Sequence, residues 1–441
     1  MRASATAIIL AAGLGTRMKS KLPKALHRIA GRPMLRHLVD SCEAAFERVV
    51  VVVGPGMNAL EAVAAPHPVV IQAERLGTAH AALQAAAHFG DGDVAILYAD
   101  NPLIRPETMH ALLARRQGGD AGLALLAMRP PDPGRYGRVL QQDGYVTRIV
   151  EWQDASAAER AEQLCNAGVL CGPGREMARW LHDVRNDNAK GEYYLTDVVA
   201  LARSEGVRVA AVEAPYDELR GINSRAELAE AEAAVQHRLR RAAMNAGATL
   251  TDPASVFLCA DTELAPDVRI EPNVVFGPGV VVQEGAEIRA FSHLEGCRIG
   301  AGASIGPFAR LRPGTIIGPA AHVGNFVELK AATLGAGAKA NHLTYLGDAE
   351  IGPRSNIGAG TITCNYDGFF KYRTVIGART FVGSDVTLVA PVTVGDGAFI
   401  GAGSTITDDV APDAMAIARG RQVEKPGRAA RFRAEQERKK R

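Results

Sequence analysis

From residue 270 onward an aliphatic side chain returns every six positions, and few architectures can accept such a chain. Ile270, Phe276, Val282, Ile288 and Leu294 keep the count, one residue is dropped, and Ile299, Ile305, Leu311, Ile317, Val323 and Leu329 resume it. A later series runs Ile376, Val382, Leu388, Val394, Ile400 and Ile406. Glycine directly follows the aliphatic residue at 299, 305, 317, 323, 351, 357, 376, 382, 394 and 400. Hexads of this kind wind into a left-handed parallel β-helix, three hexads closing one triangular coil. The aliphatic residues stack inside, while glycines and small residues serve the turns. Coils repeat at ~4.8 Å, so the result is a stiff prism. Two stretches break the count, AKANHLTYLGD (338–348) and CNYDGFFKYR (364–373). A solenoid expels surplus residues as loops, so both are expected to be loops and candidate functional segments.

The first half obeys a different grammar. RVVVVVG (48–54), VAILYAD (94–100) and AGLALLAM (121–128) are continuous apolar runs, as strands covered on both faces require. Helical patterns lie between them, at 33–45 and 77–89. Alternation of this kind predicts a mainly parallel sheet with helices on both sides, binding ligands beyond the carboxyl ends of its strands. Between the halves, SRAELAEAEAAVQHRLRRAAM (224–244) contains neither Gly nor Pro. Ser224 and Glu227 form a capping box, so a long connecting helix starts there.

With 441 residues, two or three domains are expected. A net charge of +2 implies no general attraction to nucleic acid, so any phosphate-binding charge must be local. The six cysteines form no C-x-x-C pair, which fits reduced thiols in cytosol. No apolar run approaches the ~18–20 residues of a membrane span. TAIILAAG near the start has only Arg2 before it and a charged loop after it, so it reads as a first strand rather than a signal core.

That strand leads into LAAGLGTRMKSKLPKAL (10–26), where a Gly-x-Gly turn is followed by Arg17, Lys19, Lys21 and Lys24. Glycines let backbone N–H groups approach phosphate oxygens, and Arg17 and Lys24 add cationic side chains. Asp100 ends a buried apolar strand, where a carboxylate is costly unless paired or metal-bound. The plainer alternatives are a helix N-cap for a segment beginning at Pro102 and, for Lys24, a snorkelling surface lysine.

The string L-A-A-G-x-G-T-R-M followed by P-K resembles the nucleotidyltransferase domain of sugar-nucleotide pyrophosphorylases. The likeness continues in QAERLGTAHA (72–81), YADNPL (98–103), YGRV (136–139), IVE (149–151), NAG (166–168), EYYLTD (192–197) and GIN (221–223). Both halves together resemble the bacterial family of bifunctional N-acetylglucosamine-1-phosphate uridylyltransferase/glucosamine-1-phosphate N-acetyltransferases, from about residue 6 to about 420. The resemblance implies a nucleotidyltransferase domain over 1–223 and a β-helix acetyltransferase domain over 248–420. The cap and the Gly- and Pro-free run between them give a connecting helix over 224–247, and a basic composition low in apolar residues gives a mobile tail over 421–441. The resemblance further implies that Leu10, Ala11, Gly13, Gln72, Gly77, Thr78, Tyr98 and Ala99 line the UTP site, with Arg17 and Lys24 on the phosphates. Asp100 and Asn223 would hold Mg²⁺, and Gly137, Glu151 and Asn166 the sugar. Ala99 stands where glycine is the commoner residue and Ala167 where serine or threonine is, which bears on sugar preference.

For the second reaction the resemblance assigns the general base to NHLTYLGD, hence to His342. An imidazole suits the task because its unperturbed pKa of ~6.5 lies near working pH. Arg312 and Lys330 would bind the sugar phosphate, with Tyr345, Asn356 and Lys371 completing the acceptor surface. Ala359, Asn365, Tyr366, Ser384, Ala402 and Arg419 would line the acetyl-CoA site. The family also implies a cytoplasmic homotrimer. The substrates would be UTP, glucosamine-1-phosphate, N-acetylglucosamine-1-phosphate and acetyl-CoA, with no nucleic acid or membrane span involved. Two rivals differ in class: a pyrophosphorylase whose β-helix is purely structural or regulatory, and a scaffold with both sites dead. A three-histidine metal site at a trimer seam ranks lower, because His293, His322 and His342 lack ligand spacing.

Overall fold

In the computed structural model, residues 3–188 and 190–440 are described. The chain divides into two compact units, Met1–Leu239 and Arg240–Arg441.

Seven strands build the main sheet of the first unit: β1 (Ala3–Leu10), β2 (Phe46–Val53), β3 (Val69–Ile71), β4 (Asp93–Tyr98), β5 (Leu123–Met128), β6 (Cys165–Pro173) and β7 (Val209–Glu213). Their spatial order is β7–β5–β6–β4–β1–β2–β3. Alternate residues of β1 feed two cores. Ala7 and Ile9 pack with Leu35, Leu38, Met109 and Leu112 on one face. Ile8 and Leu10 pack with Ala79, Met177, Trp180 and Val198 on the other. A strand buried on both sides must be apolar at every position, which is why the run is continuous.

The sheet is parallel except at β6, which runs antiparallel to both β4 and β5. Between β5 and β6 the chain makes an antiparallel hairpin, Arg138–Gln142 with Tyr145–Val150, instead of a crossover helix. A parallel return needs a crossover, so the strand comes back reversed. Strand order reverses about β1 and β4, whose ends pair Leu10 with Tyr98. Crevices at such a switch point are where open α/β sheets bind ligands. The segment expected as one helix over 77–89 is a helix Thr78–Gln84 followed by a 3₁₀ turn, Ala86–His88.

The helix Arg225–Asn245 begins at the expected cap. Ser224 Oγ accepts the Glu227 N–H at 3.2 Å, and the Glu227 carboxylate accepts the Ser224 N–H at 3.0 Å.

The second unit is the left-handed parallel β-helix. Short strands stack into three faces, every pairing parallel. Three interior columns run through it. Ile270, Ile288, Ile305, Val323, Ala340, Ile357, Val382 and Ile400 form one, each in register with the next and buried. Fully burying such a side chain contributes about 1.5–3 kcal/mol. Coils end in left-handed corners, and these are not all glycine. Phe291, Phe308, Phe326 and Leu343 hold φ between 50° and 59°.

The count-breaking stretch 338–348 is not a loop. Lys339–Gly347 is a continuous strand paired with His322–Lys330. The coil there is one residue short of eighteen, so nothing has to be expelled. The other stretch does leave the prism, because Ile357 pairs with Val382 across 25 residues. In the tail, expected as a solvated end, Arg428–Lys440 is a helix with no buried residue.

Candidate functional sites

At the carboxyl ends of β1 and β4 lies a cleft of about 820 Å³. Leu10, Ala11, Gly13, Arg17, Lys24, Gln72, Gly77, Thr78, Tyr98, Ala99, Asp100 and Glu151 all line it. Gly15 has φ 63°, and a Cβ there would meet the Lys24 Cβ at 2.5 Å. The turn is glycine because the lysine stem crosses it. A Cβ on Gly13, by contrast, would meet nothing within 4 Å.

Lys24 is neither a free surface lysine nor a distant one. Its Nζ lies 2.5 Å from Asp100 Oδ2 and 3.0 Å from Asn223 Oδ1. An Arg17 Nη donates to the same Asn223 oxygen at 2.7 Å. Asp100 does not cap a helix at Pro102, since the following helix is Pro106–Gln117 with Arg105 at its cap. Two oxygen donors, one carboxylate and one amide, therefore converge on one cationic point. That donor set suits a hard divalent cation such as Mg²⁺, which takes one or two protein oxygens and keeps its waters.

Gly137, Asn166 and Asn223 do not line the cleft wall but adjoin it. The Asn166 N–H donates to the Gly137 carbonyl at 2.8 Å. A Cβ on Gly137 would lie 3.6 Å from both Glu151 oxygens. Burial pushes the Glu151 carboxyl above its ordinary range, opposed in part by the Thr196 hydroxyl, which donates to it at 3.4 Å. Burial likewise raises the Tyr98 phenol.

Sequence reasoning passed over Arg75, Trp152 and Thr196, which also line the cleft. Arg75 Nε donates to the Ala12 carbonyl at 2.8 Å, fixing the start of the glycine turn. Its signal was available, since it lies in QAERLG three residues after Gln72.

On the β-helix, His342 sits exposed at a corner, in register with Asn325 of the preceding coil. His342 Nδ1 lies 2.9 Å from Asn325 Oδ1. An amide oxygen can only accept, so Nδ1 carries the proton and Nε2 is left as the basic nitrogen. From this corner, backbone bonds trace one edge through successive coils. Gly360 N–H donates to the His342 carbonyl, Asp385 N–H to that of Ala359, and Gly403 N–H to that of Ser384. Arg419 then donates to the Ala402 carbonyl at 2.7 Å. Ala359, Ser384, Ala402 and Arg419 thus share an edge with His342.

A second group gathers cations. Lys371 beside it, with Arg312 adding to the effect, pushes the Lys330 ammonium below its usual range. Arg312 is held by Glu328 at 2.8 Å. Tyr345 lies on the same strand as His342, and Asn365 donates to Asp348 at 2.5 Å. Tyr366 is exposed and bridges to Lys371. Asn356 lies on another column, between Lys339 and Phe381. Among the described residues no hydrogen bond joins His342 to the Lys330 group.

Residues 7–180 match the MobA-like NTP transferase domain, and 296–331 and 373–408 match the bacterial transferase hexapeptide (six repeats). The chain is 67% identical over 428 residues to a protein of Acidiphilium cryptum named bifunctional protein GlmU, covering 97% of this chain and 98% of that one. Proteins of the same name from Gluconacetobacter diazotrophicus and Granulibacter bethesdensis are 68% and 65% identical. Those alignments cover 99% and 98% of this chain, and 95% and 96% of theirs.

Proposed function

This chain belongs to the family of bifunctional protein GlmU, and from that premise we propose how its residues divide two reactions. It is an acetyltransferase and a uridylyltransferase that together make UDP-N-acetylglucosamine. The observation that carries the division of labour is that each unit holds its own chemistry: Lys24, Asp100 and Asn223 in one, His342 on Asn325 in the other.

In acetyl transfer the amine of glucosamine-1-phosphate attacks the thioester carbonyl of acetyl-CoA. The C–N bond forms, the C–S bond breaks, and coenzyme A leaves as the thiol. His342 Nε2 takes the proton the amine must lose, and Asn325, by accepting from Nδ1, fixes the neutral tautomer whose lone pair is on Nε2 and steadies the imidazolium that forms. Positioned bases of this kind contribute about 10²–10⁴-fold. Arg312, Lys330 and Lys371 receive the sugar phosphate; three cations held this close favour an anion among them. Tyr345 and Asn356 complete the acceptor surface. The edge from Ala359 through Ser384 and Ala402 to Arg419 takes the coenzyme, with Asn365 and Tyr366 beside it.

In uridylyl transfer a phosphate oxygen of N-acetylglucosamine-1-phosphate attacks the α-phosphorus of UTP, and pyrophosphate leaves. Such transfers need positioning and charge neutralisation more than covalent help. The Gly13 N–H, Arg17 and Lys24 supply positive charge to the phosphates, while Gln72, Gly77 and Thr78 hold the uridine. Glu151, Gly137 and Asn166 hold the sugar. Asp100 and Asn223 would hold Mg²⁺, which would supply neutralisation of phosphate charge.

We further propose 1–223, 224–247 and 248–420 as the functional boundaries, a homotrimer, and a cytoplasmic setting. No helix among the described residues is long and apolar enough to cross a membrane. The trimer is supported by a ladder of exposed rings, Phe291 stacked on Phe308 and Phe308 on Phe326 at 4.9 and 5.2 Å, ending at exposed Leu343. An apolar column of that kind suits other copies of this chain.

Purified protein given glucosamine-1-phosphate, acetyl-CoA, UTP and Mg²⁺ should release coenzyme A and pyrophosphate and form UDP-N-acetylglucosamine. Pyrophosphate release from the pre-acetylated sugar without any coenzyme A release would instead favour a structural β-helix.

A further inference from the structure

Backbone bonds fix the chain at Asn223 and at the residue before it. The N–H of its neighbour Ile222 donates to the Asp100 carbonyl at 2.8 Å. Its own N–H donates to Glu227 Oε2 at 2.5 Å. Glu227 is three residues past the cap Ser224, and an ordinary capping box needs only the bond to the cap N–H. Here the same oxygen accepts from residue 223 as well as from Ser224 at 3.0 Å. A carboxylate accepting two backbone N–H groups makes charge-assisted bonds, about twice as strong as neutral ones. On the far side, the Asn223 side-chain oxygen meets Arg17 and Lys24.

We propose that Glu227 is a positioning residue for the cation site: it anchors the Asn223 backbone to the first turn of the helix and so sets the separation of the Asn223 and Asp100 oxygens. The inference rests on the reading of Asn223 as a metal ligand. Glu227 touches neither substrate nor cation. It acts through Asn223 alone. Ser224 shares the capping box, and among the described residues its hydroxyl accepts the Glu227 N–H and makes no bond to Asn223. Loss of capping can therefore be separated from loss of positioning.

The test titrates Mn²⁺ into the full-length protein with UDP-N-acetylglucosamine present, following free Mn²⁺ by electron paramagnetic resonance. Wild type, Glu227→Ala, Glu227→Gln, Ser224→Ala and Asn223→Ala are compared, with acetyl transfer confirming intact protein. Glu227→Ala is expected to weaken Mn²⁺ binding about five- to tenfold, Glu227→Gln to recover most of it, and Ser224→Ala to leave it unchanged. Wild-type affinity in Glu227→Ala, with Asn223→Ala impaired, overturns the role of Glu227 and leaves the ligand reading standing. Equal weakening in Ser224→Ala and Glu227→Ala also overturns it, since fraying of the helix would then suffice. Wild-type affinity in Asn223→Ala overturns the ligand reading, and the inference with it.

Discussion

Replacing Asn325 with alanine leaves His342 in place and removes what orients it. Asn325 lies directly across from His342 on the neighbouring coil, and among the described residues its side chain makes one hydrogen bond, the 2.9 Å contact to Nδ1. The pair is exposed, so water competes for both partners, and a neutral hydrogen bond here is worth about 0.5–1.5 kcal/mol. If that stabilisation is present in the transition state and absent without Asn325, acetyl transfer slows about two- to tenfold. Deleting the base itself should cost about 10²–10⁴-fold, so the two variants must differ by at least an order of magnitude. Asn325→Asp keeps an acceptor for Nδ1 and should restore the rate, with a rise in the apparent pKa of the base because a carboxylate favours imidazolium. Coenzyme A release, followed with a thiol reagent across pH 5.5–8.5, reads both effects. An unchanged rate in Asn325→Ala, or a loss as deep as in His342→Ala, would refute the reasoning.

Three other outcomes follow from the geometry. Arg75→Gln, which gives up the bond to the Ala12 carbonyl, should raise the KM for UTP several-fold and leave that for the sugar phosphate nearly unchanged in a pyrophosphate-release assay. Burial raises the Glu151 carboxyl, so its contribution to stability is full below the unfolded value and is lost as pH rises through the folded one. Glu151→Gln should therefore unfold at a higher temperature than wild type at neutral pH while binding sugar more weakly, with the difference in Tm vanishing in acid. Phe308→Asp puts charge into the exposed ring ladder with a residue that tolerates a left-handed corner. Sedimentation should show smaller species, with uridylyl transfer retained.

The solenoid was legible because its interior positions repeat and its exterior ones do not matter to the count. The same counting misread 338–348, since Val323, Ala340 and Ile357 are successive members of one column only 17 residues apart. A coil can lose a residue at a corner without leaving the prism, and a missing residue looks like an irregularity in one dimension. The excursion after Cys364 was read correctly because there residues are surplus. In the first unit, strands buried on both faces announced themselves, but the reversal of β6 did not. Strand direction depends on what connects the strands, and the signal of the hairpin after β5, Asp143-Gly144 between two alternating runs, was passed over. Motif resemblance named Lys24, Asp100 and Asn223 separately. Their meeting on one ammonium spans 199 residues of sequence; Arg75 and Glu227 lay in motifs already read, but the bonds they make to the Ala12 carbonyl and the Asn223 N–H appear only in the fold.

The most direct measurement assays both half-reactions in parallel on Asp100→Ala and His342→Ala, with circular dichroism confirming that each is folded. Two separately built catalysts on one chain predict that Asp100→Ala loses uridylyl transfer and keeps acetyl transfer, and that His342→Ala does the reverse. Either folded variant losing both activities together would contradict the account.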